Sequence, residues 1–242
     1  MCGRFTLTTP LEGLRDLFGF EERPNLAPRA NIAPTQDVLA VRADAGGARH
    51  AAMLRWGLVP GWAKDLSIGA RMINARAETV REKSAFRRPF AKRRCLIAAD
   101  GFYEWQAREA GPKQPYRVAR RDGGPFAFAG LWEKWRDPSD EGASVVETCT
   151  ILTTAASALL EPIHHRMPVM FFDEADFDAW LGTELGEQQA AELFSPREPS
   201  PLVVYPVSTK VNRVANDDLS LIEPVEIERS SGPGNPRQPN LL

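Results

Sequence analysis

The sequence opens Met-Cys-Gly-Arg-Phe. Methionine aminopeptidases remove an initiator methionine when the second side chain is small, and Cys2 is small enough. The processed chain then carries an α-amine and a thiol on adjacent carbons, a 1,2-aminothiol that no internal cysteine can imitate. An α-amine titrates at about 7.7–8.0, so part of it is unprotonated and nucleophilic at neutral pH. It condenses with an aldehyde to an imine, and the neighbouring thiol closes onto the same carbon as a five-membered thiazolidine. That closure is intramolecular and gains the corresponding effective concentration. A second chemistry is open to the same residue, in which the amine serves as base for its own thiol, as in an N-terminal nucleophile hydrolase. Both need the terminus held in a cleft; a third reading leaves Cys2 with no role.

Other residues have chemistry to offer. In "RMINARAET", Asn74 and Arg76 stand two apart, which in an extended segment puts them on one side. A carboxamide can hold a main-chain amine or carbonyl, and a guanidinium is a fork matched to phosphate; both residues also fit a solvated loop. In "DGFYEW", Glu104 lies between Tyr103 and Trp105 at the end of an apolar run. Aromatic neighbours that exclude water raise a carboxyl pKa into the range useful for proton transfer; a glutamate facing outward from an amphipathic strand fits equally well. "PIHHRMP" supplies His164 and His165, two of the 3 histidines, with His50 expected in a turn. Adjacent residues on an extended segment point opposite ways. One imidazole is therefore expected in a cleft and the other at the surface, or the two form a structural pair beside Arg166. No Cys or carboxylate spacing makes a metal ligand set, and no cofactor is expected.

Charge is unevenly spread. The formal net charge is only -2, yet residues 71–94 hold nine Lys or Arg against two Glu, while residues 173–194 hold seven acidic residues and no basic one. A face turned to a polyanion explains this, and so does an ordinary solvated face. Trp62, in the loop-like "VPGWAKD", could stack on or wedge between bases, whereas Trp56, Trp105, Trp132 and Trp180 are expected in the core. Cys95 and Cys149 lie in apolar strand candidates and are expected to be buried and inert. With Cys2 they make 3 widely spaced cysteines without a signal-peptide pattern, which points to a reducing cytoplasm. No apolar run approaches the roughly 18 residues of a membrane span.

These groups must be positioned by a mainly β chain. Strands are expected in "DVLAVRA", "RHAAMLRWGLVP", "CLIAADGFYEW", "PYRVAR", "PFAFAGLWEKW", "VETCTILTTAA" and "PLVVYPVSTKV". "TTPLEGLRDLFGF" reads as a helix with Thr9 as N-cap, Pro10 in the first position and Glu12 completing a capping box. "DEADFDAWLG" and "GEQQAAELFS" read as helices, "EERPNLAPRANIAPTQ" as extended or loop, and the basic stretch has no clean period. There is no repeat and no βαβ alternation. The fold class is α+β: a single domain over residues 1–225, with a mainly antiparallel, barrel-like sheet, inserted helices and a disordered tail at 226–242.

Together, "MCGRF", "NIAPTQ", "RWGLVPGWAKD", "INARAET", "RRCLIAADGFYEW", "FAGLWEKW", "CTILTTAA" and "IHHRMPVM" resemble the SOS-response-associated peptidase (SRAP) family of abasic-site-crosslinking proteins. The likeness runs from residue 2 to about 220. It implies a compact α+β fold with a positive cleft for single-stranded DNA containing abasic sites, and a mature Cys2 that forms a thiazolidine with the ring-opened sugar. It further implies that Asn74 orients the Cys2 amine, that Glu104 moves protons, and that His164 assists sugar ring opening. Arg4 and Arg76 would hold phosphates, and Pro34, Trp62 and Thr153 would line the DNA path. Autocatalytic release of Met1 is implied as well. A monomer is expected. Two rivals carry different expectations. An amidohydrolase of the glutaminase type needs a glutamine pocket and usually a synthase domain. A non-covalent single-strand binding module gives Cys2, Glu104 and His164 no task.

Overall fold

β-Branched and aromatic residues recur through the chain, and they build most of it into strands. The computed structural model describes residues 2–109, 111–140, 142–182, 184–197 and 200–227; all but two residues of the expected tail lie outside them. In chain order the elements are β1 (Phe5–Leu7), α1 (Leu11–Phe18), β2 (Arg29–Ile32), β3 (Asp37–Ala43), β4 (Arg49–Trp56), β5 (Asn74–Arg76), α2 (Arg87–Lys92), β6 (Arg94–Ala99) and β7 (Gly101–Gln106). They continue with β8 (Gln114–Arg120), β9 (Phe126–Trp135), β10 (Val146–Ala155), β11 (Arg166–Pro168), β12 (Met170–Phe171), α3 (Glu174–Leu181), α4 (Glu187–Phe194) and β13 (Leu202–Pro206).

Strands β4, β3, β6, β9 and β10 close on themselves, because β10 pairs with β9 on one side and with β4 on the other. The ring is antiparallel except at β4–β10. Strands β5 and β11 add to β10 at its rim, and β12 adds to β9. A second sheet runs β13-β8-β7-β1-β2. The expected barrel-like α+β domain is thus a closed five-stranded barrel with an open sheet packed on it. Phe5 and Phe102 of the open sheet meet Trp56 and Phe128 of the barrel edge-on, with centroids 5.1, 5.5 and 6.0 Å apart, the arrangement that aromatic quadrupoles favour.

The run "CLIAADGFYEW" is not one strand. It breaks at Asp100, and β6 stays in the barrel while β7 joins the open sheet. The Asp100 carboxylate is buried and accepts from the Thr6 hydroxyl (2.5 Å), the Thr8 hydroxyl (2.8 Å), the Thr9 amide (2.8 Å) and the Thr9 hydroxyl (3.1 Å), and from the Thr8 amide. Arg117 donates to the Asp100 carbonyl and to Thr6, both at 3.1 Å. A Cβ on Gly101 would come within 2.6 Å of that guanidinium, so this corner needs glycine.

Thr9 therefore does not cap α1. Its side chain goes to Asp100, and α1 starts after Pro10 without a side-chain cap. The helix ends on Gly19 in the left-handed region (φ 69°), whose amide donates to the Arg15 carbonyl. In α3 the Asp173 carboxylate caps the amide of Asp176, and Phe177 and Trp180 fill the core side. His50, expected in a turn, lies within β4. No helix among the described residues is long and apolar enough to cross a membrane.

Candidate active site

Cys2 lies just before β1, and its side chain is fully buried. Two strands from different sheets hold it. From the barrel side, β5 pairs in parallel with β10 in the register Ile151↔Asn74 and Thr153↔Arg76, and the Asn74 carboxamide nitrogen donates to the Cys2 carbonyl at 2.8 Å. The Asn74 carboxamide oxygen is buried with no hydrogen-bond partner among the described residues. From the open sheet, β1 pairs with β7 through Phe5↔Phe102, and the Tyr103 amide donates to the Arg4 carbonyl at 3.0 Å. That register brings Glu104 to the Cys2 end of β1. Glu104 is 3% exposed, and burial raises its pKa above the ordinary carboxylate range. Burial also pushes the Cys2 thiol far above a free cysteine, and the charge of Glu104 pushes it further.

His164 ends the turn that follows β10, its amide donating to the Leu160 carbonyl at 3.0 Å. Its Nδ1 lies 3.0 Å from the Arg166 amide and 3.1 Å from the Arg166 carbonyl. One residue's main chain therefore offers a donor to the neutral ring and an acceptor to the protonated one. The turn is tied to β7 by Gln106, which donates to the Pro162 carbonyl at 3.0 Å. Lys113, before β8, acts electrostatically on both Glu104 and His164. The two adjacent histidines do not point apart. Their rings stack, with centroids 4.5 Å apart and planes 20° apart, because the chain is still leaving the turn at 164.

The expected DNA contacts fall into two groups. Arg76 and Trp62 are exposed, Trp62 at 62%. The Trp62 loop is nonetheless bolted down: the Val59 amide donates to Thr148, Trp135 donates to the Ala63 carbonyl, and Gly57 meets Gly69 so closely that a Cβ on Gly57 would lie 2.6 Å from the Gly69 carbonyl oxygen. Trp62 borders a groove with Ser84, Arg88, Arg93 and Lys134 that contains none of the four candidate catalytic residues. Pro34 is half-buried beside Thr35, a non-glycine residue at φ 71°. Arg4 is turned inward, donating to Asn31 and the Val211 carbonyl at 2.8 Å each. Thr153 is fully buried, with its hydroxyl facing Arg166 at 3.2 Å. Cys95 and Cys149 are buried, free thiols, and Cys95 is pushed up to about 12. Trp56 and Trp180 are buried as expected, but Trp105 and Trp132 are only half-buried.

Sequence reasoning passed over Arg166. It is buried, forks onto Glu78 at 2.7 and 2.9 Å, and holds the Thr153 carbonyl at 2.5 Å. It was legible only as a neighbour of the histidines. Asp100 and Asn31 were also missed. Asp100 is a polar residue inside an apolar run, and that is the signal that could have found it; Asn31 lies in a proline-punctuated segment that offers no such signal.

The fold has known counterparts. A solved structure from Bacteroides thetaiotaomicron superposes with a TM-score of 0.82 over 93% of this chain and 100% of that one at 23% identity, a likeness of fold. One from Bordetella bronchiseptica gives a TM-score of 0.72 at 27% identity, covering 86% of this chain and 100% of that one. Residues 1–214 match the family described as SOS response associated peptidase (SRAP), and the chain belongs to that family. It is 41% identical over 227 residues to the abasic site processing protein YoqW of Bacillus subtilis (strain 168), covering 92% of this chain and 99% of the relative. It is 34% identical over 211 residues to the abasic site processing protein HMCES of Gallus gallus, covering 77% of this chain and 61% of the relative.

Proposed function

We propose that this chain is a DNA-damage response protein that captures abasic sites in single-stranded DNA covalently through Cys2, once Met1 has been removed. The observation that carries the reading is the Asn74 carboxamide on the Cys2 carbonyl at 2.8 Å, beside a buried glutamate whose charge acts on the Cys2 thiol. A terminus held this way is a built feature. The names of the relatives supply the substrate class.

The chemistry balances simply. The Cys2 amine adds to the aldehyde carbon of the opened deoxyribose, and the carbinolamine loses water to give an imine. The Cys2 sulfur then bonds to that carbon, its proton ends on nitrogen, and a thiazolidine results with the net loss of one water. Glu104, a carboxyl with a raised pKa, carries the protons in both directions. His164 takes the hemiacetal hydroxyl proton as the bond from that carbon to the ring oxygen breaks, and the proton ends on the departing ring oxygen. Arg76 and Trp62, both exposed, meet the strand, whereas Arg4 and Thr153, both turned inward, support the site from within without touching the strand. The same cleft would direct water onto the Met1–Cys2 peptide bond, which is the self-processing form of a thiol peptidase activity. The imine also acidifies the adjacent C–H, so lyase-type strand scission is open before the ring closes.

Intact mass spectrometry with and without abasic single-stranded DNA tests the proposal. Expected is a chain lacking Met1 that gains the mass of the oligonucleotide less one water. A fully active chain that keeps Met1, or an adduct formed equally by Cys2→Ala, overturns it.

A further inference from the structure

His165 is left over once His164 has been given its task. Adjacent residues seldom share a side. Here, however, the turn places the His165 carbonyl on the Ala156 amide at 3.1 Å and turns both rings the same way. The His165 ring is exposed, and it covers one face of the half-buried His164 ring. The edge of His164 is fixed independently, by Nδ1 on the Arg166 main chain. Edge and face together leave the imidazole little freedom to rotate.

We propose that His165 is a positioning residue: lying flat on His164, it locks the plane of the acting imidazole. The inference rests on the proposed role of His164 in ring opening. Two imidazolium rings stacked at this distance repel, whereas an imidazolium on a neutral ring does not. Burial is the largest cause holding His164 below the ordinary histidine range. His165 and Lys113 act the same way, and the hydrogen bond to Arg166 acts against them. The Arg166 guanidinium is turned to the Glu78 carboxylate, and that ion pair leaves it little net charge. A base that removes the hemiacetal proton must be neutral, so keeping His164 unprotonated extends its working range to lower pH.

Two variants separate the plane from the ring nitrogens. His165→Phe keeps a flat ring but removes the ring nitrogens; His165→Ala removes both. The proton spectrum of the His164 ring is followed against pH in the protein without DNA, and the crosslinking rate is measured at about pH 6 and pH 8.5. Expected is that His164 titrates at higher pH in both variants, and that both crosslink about threefold more slowly than wild type at the acid pH. At the alkaline pH, His165→Phe matches wild type while His165→Ala remains slower. An unchanged His164 titration in both variants, with rates equal to wild type at both pH values, overturns the proposal. Because the titration needs no DNA, a protein that never crosslinks defeats the reading of function without touching this one.

Discussion

Replacing Asp100 with asparagine tests whether the corner between the two sheets is what holds residues 6–9 and, through them, the start of the chain. The change is nearly isosteric but removes the anion. It leaves Arg117, whose side chain is 9% exposed, without its charge partner, and it turns an amide NH2 toward the donors of Thr8 and Thr9. Removing one member of a buried ion pair costs about 3–5 kcal/mol. With a urea dependence of about 3 kcal/mol per molar, the midpoint should fall by about 1–1.7 M. Arg117→Met alone should also destabilise. The double variant should lose less than the sum by about 1–3 kcal/mol, since removing the second charge relieves the first. The orphaned amides of Thr8 and Thr9 keep it below wild type. Urea unfolding followed by tryptophan fluorescence gives all four midpoints. A shift below about 0.3 M in Asp100→Asn, or strict additivity in the double variant, would refute the assignment of this carboxylate as the clamp on residues 6–9.

Further outcomes follow from the same geometry. Cys2→Ala should give no heat-stable adduct with abasic single-stranded DNA while borohydride still traps an imine through the remaining α-amine, as read on denaturing gels. Glu104→Gln should slow both formation and reversal in a DNA-exchange time course. The same variant should be more stable than wild type at pH 8: burial raises the folded pKa, so the stability of the protonated form is full below the unfolded value and is lost as pH rises through the folded one. The advantage should vanish near pH 4, and thermal melts at the two pH values check the sign. Thr35→Asn should gain about 0.5–1 kcal/mol, because a β-branched residue at φ 71° is strained where asparagine is tolerated; denaturant midpoints measure it. Arg76→Ala should lower the salt slope of single-strand binding by about 0.7, one phosphate contact, in fluorescence anisotropy titrations.

How much of this was legible depended on whether a signal was local. Runs of β-branched and apolar residues placed the strands because that composition is written into each segment, and β3 begins and ends where "DVLAVRA" does. Asn74 and Arg76 could be paired because a strand fixes their relation at a spacing of two. The burial of Glu104 was one of two open readings, since an apolar run cannot say which of its faces is covered. Sheet membership was not local at all. Nothing within "CLIAADGFYEW" says that its halves join different sheets; Asp100 and Gly101 mark the break only once Thr6, Thr8, Thr9 and Arg117 are seen to converge there. The stacked histidines failed the alternation rule because a turn, not a strand, precedes them. The inward Arg4 depends on Val211, more than two hundred residues away in the chain.

A reactive group at a chain end poses a physical difficulty that an internal nucleophile does not. It has chain on one side only, and a terminus frays unless something else holds it. Here the holding is divided between bodies that the core welds together. Asp100 gathers residues 6–9, the Tyr103 amide takes the Arg4 carbonyl, and Asn74 reaches across from the barrel rim to the Cys2 carbonyl. Each bond is modest alone, but together they hold residues 2–9 against the fraying of a chain end. Burial raises the Cys2 thiol, which disfavours the thiolate that stray electrophiles require. On the proposed reading, selectivity then comes from order of events. The amine must first draw an aldehyde carbon against the sulfur, and only then does Glu104 have a reason to take the thiol proton. An aldehyde is therefore captured, whereas an alkylating agent that needs a free thiolate at the outset meets a neutral, covered sulfur.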